Sequence, residues 1–228
     1  MSRPTLAPLL QLASPTLPVG AFSYSSGLEW AVAAGQVRDK ASARDWITAV
    51  LEEGVAVWDA PWVAALMRAW AADAAATVVA LNERFLASRE TRELRAETAQ
   101  MGRAMLAVLQ DGELPAATAA LLARLEQDDG LAYPTAWAAA AVLRGVAVED
   151  ALVAYLWAWL ENMVMAALKT VPLGQRAGQR LLTGLGERLG GLAADAAARP
   201  LDQCRNLLPG FTLASMHHET QYTRLFRS

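Results

Sequence analysis

Apolar residues recur every three or four positions along most of the chain, which is the spacing of one face of an α-helix. Trp62, Leu66 and Trp70, for example, follow one another four residues apart. No segment alternates apolar and polar residues with the β-branched enrichment of a strand, so we predict essentially no sheet. The pattern predicts an all-α protein, a helical bundle of about eight to ten helices in a single domain spanning residues 1–228.

Proline, glycine and capping residues divide the periodic segments into predicted helices. Ser14-Pro15 ends a first short helix, and Asp128-Asp129-Gly130 separates two later ones. The most apolar window, Ala151–Leu160, has apolar rows on both sides and is shorter than the roughly 20 residues of a membrane span. It predicts a buried central helix, and a last long helix is expected to run to about Ala198.

The stretch from Leu17 to Trp30 is the most locally specified part of the sequence, with turn residues, hydroxyls and aromatics close together. Ser26 and Glu29 form a Ser-x-x-Glu pattern, which is typical of the capping box at a helix N-terminus. The stretch therefore predicts a turn that leads into a helix. Glu29 is interpreted either as the capping glutamate or as a carboxylate that contacts a partner or an ion.

A second conspicuous stretch, 88–97, is dense in charged residues before the sequence becomes apolar. Arg89 and Glu93 are four residues apart, a spacing that brings side chains together on a helix surface. Two interpretations stay open, a solvated helix face and an exposed surface for a partner.

Composition limits the kinds of partner and the compartment. The 20 basic and 23 acidic residues give a net charge of −3, without a block of like charge that would favour nucleic acid or an anionic membrane. Cys204 is the only cysteine, so no disulfide can form within the chain and a reducing compartment is natural. We predict a cytoplasmic protein that binds neither nucleic acid nor membranes.

The residues needed for common chemistries are scarce. The sequence has no phosphate-binding loop of the G-x-x-x-x-G-K-[ST] type. His217 and His218 are adjacent, so they diverge on a helix and rarely hold one ion together, although a weak site shared between subunits stays open. A helical prenyl-transferring enzyme is the rival class, but it needs aspartate-rich motifs that are not found here. We predict a binding or scaffolding protein with no catalytic residues, metal site or cofactor.

Four segments of the sequence carry a resemblance to a known family. They are LPVGAFSYSSGLE at 17–29, SRETRELR at 88–95, ALKTVPLGQ at 167–175 and LASMHHETQYTRLFRS at 213–228. In these segments, and in their order along the chain, the sequence resembles the UreF family, the urease accessory proteins that help load nickel into urease.

The resemblance implies an all-helical homodimer that is not an enzyme. It implies that the chain binds a UreD-type accessory protein, called UreH in some systems, recruits and regulates the GTPase UreG, and with them delivers nickel to the urease apoprotein. The resemblance also suggests Tyr24, Glu29 and Lys169 as contacts toward UreG or the dimer groove.

The C-terminal segment 211–228 is predicted to be a partner-binding tail. It follows Pro209-Gly210, from which we expect the chain to leave the packed helices, to be mobile in the free protein and to order against the UreD-type partner. Aromatic and arginine side chains are typical of binding hot spots. The candidate contacts in the tail are His218, Glu219, Tyr222, Arg224 and Phe226.

Overall fold

The computed structural model describes residues 6–128 and 130–228, and within these ranges it contains twelve α-helices and no strand. The predicted fold class is confirmed, and the helices are slightly more numerous than the predicted eight to ten. Residues 1–5 and Asp129 lie outside the described residues. The helices are α1 (Leu6–Ala13), α2 (Leu28–Ala33), α3 (Lys40–Val50), α4 (Asp59–Ala71), α5 (Ala75–Ala87), α6 (Arg92–Gln110), α7 (Ala116–Gln127), α8 (Tyr133–Leu143), α9 (Val148–Thr170), α10 (Gln175–Gly186), α11 (Leu189–Ala198) and α12 (Pro209–His218).

Helix α9 lies at the centre of the fold and packs against α1, α4, α10 and α11. Leu152, Leu156, Leu160 and Met163 are fully buried along it, which confirms the predicted central helix. By length and composition α9 could cross a membrane, and it is the only such helix in the described ranges. Because 56% of its apolar window is buried against the rest of the chain, it has the character of a core helix.

Helix α8 is the second core element and packs between α4 and α6. Its alanines are buried, which lets neighbouring backbones approach closely. Gly102 of α6 allows a similar close approach just before α8, because a Cβ atom there would lie 1.9 Å from the backbone oxygen of Leu131. Asn82 of α5 fixes the same region because its side chain donates to Gly130 O (2.9 Å) and accepts from Ala132 N (2.9 Å).

Two helix boundaries differ from the sequence prediction. The last long helix is divided into α10 and α11, with a break at Glu187 and Arg188. The charged segment 88–97 enters its helix only at Arg92, because the hydroxyl of Thr91 accepts from Leu94 N and caps the helix start. Local side chain to backbone bonds of this kind set boundaries that periodicity alone does not define.

The C-terminal segment lies against the helices, which contradicts the expectation that the chain leaves them after Pro209-Gly210. Pro209 is instead the first residue of α12, a position that proline tolerates because the first helical N–H has no partner within the helix. Helix α12 packs on α2. Gly27, at φ 71°, allows this contact, since a Cβ there would lie 3.1 Å from Ala214 Cβ.

Candidate functional site

Two carboxylates and one histidine meet between α2, α6 and α12. Helix α2 supplies Glu29, α6 supplies Glu93, and His218 is the last residue of α12. His218 is fully buried, with Nδ1 2.7 Å from Glu93 Oε2 and Nε2 3.2 Å from Glu29 Oε2. We call these three residues the carboxylate–histidine cluster. Both ring nitrogens face acceptors, so the imidazolium form of His218 would donate to both carboxylates.

The last ten residues, 219–228, form a segment that we call the C-terminal strap, and the cluster holds it in place. Leu225 N and Phe226 N donate to the Glu29 carboxylate at 2.5 and 2.9 Å. The Arg224 guanidinium donates to Glu93 at 2.6 Å. Glu29 therefore binds the backbone of the strap, and Glu93 binds one of its side chains.

This arrangement corrects the capping-box interpretation of Glu29. Helix α2 begins at Leu28, and Ser26 lies before it with a positive φ of 50°. The hydroxyl that accepts from Glu29 N belongs to Ser25 (3.3 Å), while the Glu29 carboxylate points to the strap. A hydroxyl one residue earlier than predicted thus makes the bond to Glu29 N, and the carboxylate makes long-range contacts instead of a cap.

The end of the strap is fixed by the stretch from Leu17 to Trp30. The backbone oxygen of Ser228 accepts from both the N–H and the hydroxyl of Ser25, each at 2.7 Å. Arg227 N donates to Ser23 O at 2.7 Å. Phe226 is buried, and Lys169 Nζ lies 5.4 Å from the centre of its ring, a cation–π geometry.

The charged segment 88–97 turns partly inward, so the solvated-face interpretation is wrong for its key residues. Arg89 pairs with Asp59 of α4 (3.3 Å) instead of Glu93, and its guanidinium stacks on Phe85. Glu97 accepts from the Ser228 hydroxyl at 2.6 Å. Burial raises the pKa of the Glu97 carboxyl from its ordinary value of 4.5 to about 7.

A partly open cavity of about 120 Å³ lies beside this segment, which is room for several waters. Its lining includes the charged residues Asp59, Arg89 and Glu97 and the phenol groups of Tyr133 and Tyr155. Burial raises the pKa values of Asp59 and of both tyrosines. In the part of the chain that the structure describes, no three histidine, cysteine or acidic residues are grouped so as to hold a metal ion.

The candidate contacts predicted from the sequence divide into a buried set and a surface set. Glu29, His218, Phe226 and Tyr24 are buried, and the Tyr24 hydroxyl donates to Gln100 at 2.9 Å. These four residues hold the C-terminal segment or the turn in place, and their side chains are covered by this chain itself.

The remaining predicted contacts lie at the surface. Lys169 and Tyr222 are exposed, and the Arg224 side chain keeps 40% of its area accessible beside Glu93. Glu219 is half-buried and accepts from Glu93 N at 3.2 Å. Tyr222 in particular is fully exposed, so its ring is free for an external contact.

Sequence reasoning missed several residues that build the site. Glu93 and Glu97 lie four residues apart on one face of α6, a spacing that places two carboxylates side by side. That spacing was a usable signal for a shared role. Ser25 and Ser228 carried no such signal, because their contact joins positions 203 residues apart.

Exposed apolar side chains are found both on the strap and on the turn that it contacts. Phe22 and Leu225 keep 67% and 65% of their areas accessible, although both belong to segments that are fixed by hydrogen bonds. Exposed aromatic and aliphatic groups on a fixed backbone are typical of protein-binding surfaces. We call Phe22, Lys169, Tyr222, Arg224 and Leu225 the strap surface.

The fold and the site thus define an all-helical protein that anchors its own C-terminal segment on buried carboxylates. Residues 37–186 match the sequence model of the UreF family. Urease accessory protein UreF of Azoarcus sp. (strain BH72) is 56% identical over 220 residues, covering 96% of this chain and 94% of the relative.

Two further relatives extend the match to the whole chain. Urease accessory protein UreF of Dechloromonas aromatica (strain RCB) is 53% identical over 98% of this chain and 97% of its own length. The UreF protein of Janthinobacterium sp. (strain Marseille) is 46% identical over all of both chains. The chain belongs to the UreF family.

Proposed function

We propose that this protein is a nickel-incorporation scaffold for urease, which binds a UreD- or UreH-type partner and recruits and regulates the GTPase UreG. The assembly then acts on the urease apoprotein in the cytoplasm. The observation that carries the proposal is the strap surface, five exposed side chains on a backbone that the carboxylate–histidine cluster fixes. Membership of the UreF family supports the same function, because the relatives are named urease accessory proteins.

A scaffold requires preformed binding groups more than it requires reactive ones. Glu29 and Glu93 make five polar contacts with the strap and with His218, four of them at 2.9 Å or less and the fifth at 3.2 Å. A strap ordered before binding loses little conformational freedom on association, so more of the contact energy appears as affinity. The buried ionic groups are in this view the supports of an interface and have no catalytic role.

The UreD-type partner is proposed to bind around Tyr222, Arg224 and Leu225. An exposed tyrosine and leucine can fill apolar pockets, and a half-exposed arginine can bind a carboxylate at their rim. Arg224 already has Glu93 as one partner, so its orientation is set before the partner arrives.

Lys169 is proposed to contribute to the surface that meets UreG. It lies in the last turn of α9, where a cation complements the negative end of the helix dipole, and its ammonium group lies over the Phe226 ring. Both contacts orient the ammonium group without neutralising it. The charge therefore stays available to an acidic group of a partner.

A homodimer is the proposed state of the free protein. Leu213 and Met216 of α12 and Leu6 and Leu10 of α1 each keep more than half of their areas accessible. Spacings of three and four residues place each pair on one helix face. Light scattering at micromolar concentration tests the dimer, and a monomer would contradict it.

The partner surface is tested by co-purification. The tagged chain is co-expressed with UreD-type, UreG-type and urease proteins, and we expect all of them in the eluate. The double variant Tyr222→Ala/Leu225→Ala should lose most of the UreD-type protein while its circular dichroism stays unchanged, because both side chains are exposed. Leu143→Ala removes an exposed leucine from α8 and serves as the matched control. Normal capture by the double variant would contradict this surface.

A further inference from the structure

The central helix α9 keeps one stripe of its surface uncovered. Glu161, Met165 and Lys169 follow one another four residues apart, which places them along one side of the helix. Met165 keeps 46% of its area accessible, Lys169 is exposed and Glu161 is half-buried. We call these three residues the open stripe. It runs along a helix that otherwise packs against the fold.

The elements on both flanks of the open stripe also carry apolar side chains. At about 3.6 residues per turn, Trp157 lies on one flank and Asn162 on the other. The Trp157 ring faces α10, since a Cβ at Gly186 would lie 3.1 Å from it, and Asn162 donates to Tyr24 O (3.0 Å) in the turn that packs on α9. The exposed apolar groups are therefore not confined to Met165, as a protein-binding surface requires. Those on α1 and the turn, each with more than half of its area accessible, are Leu6, Leu10 and Phe22.

The two charges of the open stripe have no ionic partner within the described ranges. Neither Glu161 nor Lys169 takes part in an ion pair there, and the Lys169 ammonium group lies only over the Phe226 ring. The two residues are eight positions apart, about 12 Å along the helix, which is too far for them to pair with each other. Because a buried charge is costly without a partner, whatever covers the stripe needs a cation opposite Glu161 and an anion opposite Lys169.

We propose that the open stripe is a contact between two copies of this chain, with the two α9 helices antiparallel and Met165 on the two-fold axis. The inference rests on the proposed homodimer and names a contact within it. Glu161 and Lys169 each lie four residues from Met165, in opposite directions. A two-fold axis through Met165 therefore places Glu161 opposite Lys169 of the second copy, and Lys169 opposite Glu161 of the second copy.

The open stripe is complementary to itself, which favours a second copy over an unrelated partner. A two-fold contact uses the same patch twice, so both charges must be arranged symmetrically about the axis. The stripe meets this condition with an acid, a base and an apolar residue midway between them. A row of side chains four residues apart is also the ridge that interlocks in the commonest class of helix packing. Each Lys169 lies about 6 Å along the helix from the axis, at one end of the contact, where its outer side stays open to UreG.

Reversal of one charge tests the contact, because a two-fold axis repeats each change twice. Glu161→Lys places two lysines opposite each other at both ends of the contact, and Lys169→Glu places two glutamates there. Each variant should dimerise at least about tenfold more weakly than the wild type in sedimentation velocity at low salt. About 1 M salt should recover part of the loss, since it shortens the Debye length to about 3 Å. Glu83→Lys, the same reversal at an exposed position of α5, should dimerise as the wild type does.

A mixture of the two single variants is the sharpest measurement. In a mixed dimer every charge of the open stripe faces an opposite charge, so Glu161→Lys and Lys169→Glu chains should form heterodimers about as tightly as the wild type forms homodimers. The double variant Glu161→Lys/Lys169→Glu should recover homodimers for the same reason. Recovery in either experiment also shows that the single variants are folded, and neither experiment involves UreG.

The results separate this contact from the homodimer itself. Single variants that are as dimeric as the wild type, or that stay monomeric when mixed, would overturn the pairing of the open stripe and leave the proposed homodimer in place. A wild-type chain that is monomeric at micromolar concentration would contradict the homodimer and the pairing together.

Discussion

We expect the packing of the C-terminal strap against the helices to depend on Glu29 more than on any other single side chain, and Glu29→Ala tests this. Its carboxylate accepts from Leu225 N at 2.5 Å and Phe226 N at 2.9 Å, and it lies 3.2 Å from His218 Nε2. Each hydrogen bond to a charged group contributes about 1.5–3 kcal/mol, and removal of one partner from a buried ionic cluster costs about 3–5 kcal/mol. The three contacts share one carboxylate group, so their contributions do not add in full.

The strap can detach in the variant, which limits the loss of global stability to the free energy of its docking. We expect the free energy of unfolding to fall by about 3 kcal/mol, within the range for loss of a buried charge partner. Hydrogen exchange should show residues 219–228 unprotected while α9 stays protected. Glu29→Gln keeps one acceptor oxygen, and its loss should lie between those of wild type and Glu29→Ala.

The assay is urea denaturation followed by far-ultraviolet circular dichroism at one fixed protein concentration, since dimerisation would shift the midpoint. Glu53→Ala is the control, because Glu53 is exposed and such changes usually stay within about 0.5 kcal/mol. A loss below about 1 kcal/mol for Glu29→Ala, together with a strap as protected as in the wild type, would refute the role of Glu29.

Four further substitutions, one of them a control, test the packing and the surface. Gly102→Ala should destabilise the fold by about 1–3 kcal/mol in urea denaturation, because its Cβ would collide with Leu131 O. Gly184→Ala in α10 is the control, since its Cβ meets no atom within 4 Å, and it should stabilise the fold by about 0.5–1 kcal/mol. Equal effects of the two substitutions would contradict the close packing of α6. Asn82→Ala removes the partners of the part-buried Gly130 O and the buried Ala132 N, and should cost about 1–3 kcal/mol by the same assay. A loss below about 0.5 kcal/mol would contradict that. Lys169→Ala should leave stability nearly unchanged and reduce GTP turnover and urease activation by the assembled complex, while unchanged turnover and activation would mean that Lys169 is only a helix-end charge.

The sequence was sufficient to predict the helical class because burial follows periodicity within each helix. Leu152 and Leu156 of α9 are buried on the face that their spacing indicates. The break at Glu187 was not predicted, because Leu181, Leu185 and Leu189 continue the four-residue apolar spacing across it. The glycines on both sides of the break, which lower helix propensity, were a usable signal for it. The two helices also differ in their packing, since α10 packs on α9 and α11 packs on both α9 and α4, and such long-range contacts are not visible in the sequence.

The site was less predictable because its contacts join distant parts of the chain. Glu29 fits a capping box by local pattern, yet its carboxylate binds Leu225 and Phe226, nearly 200 residues away. Pro209-Gly210 likewise has the composition of a free hinge, although Pro209 begins α12. Local signals predict local structure, and a strap held by long-range ionic contacts becomes visible only when the fold is known.

Restoration of urease activity in cells that lack their own UreF tests the central claim most directly. Urease activity and the nickel content of purified urease are measured after expression of the wild-type chain or of a chain ending at His218. We expect the wild type to restore both quantities. The chain without residues 219–228 should stay folded, because α12 remains, and should restore neither. Apo-urease in cells with the wild-type chain, or full activation by the shortened chain, would contradict the account.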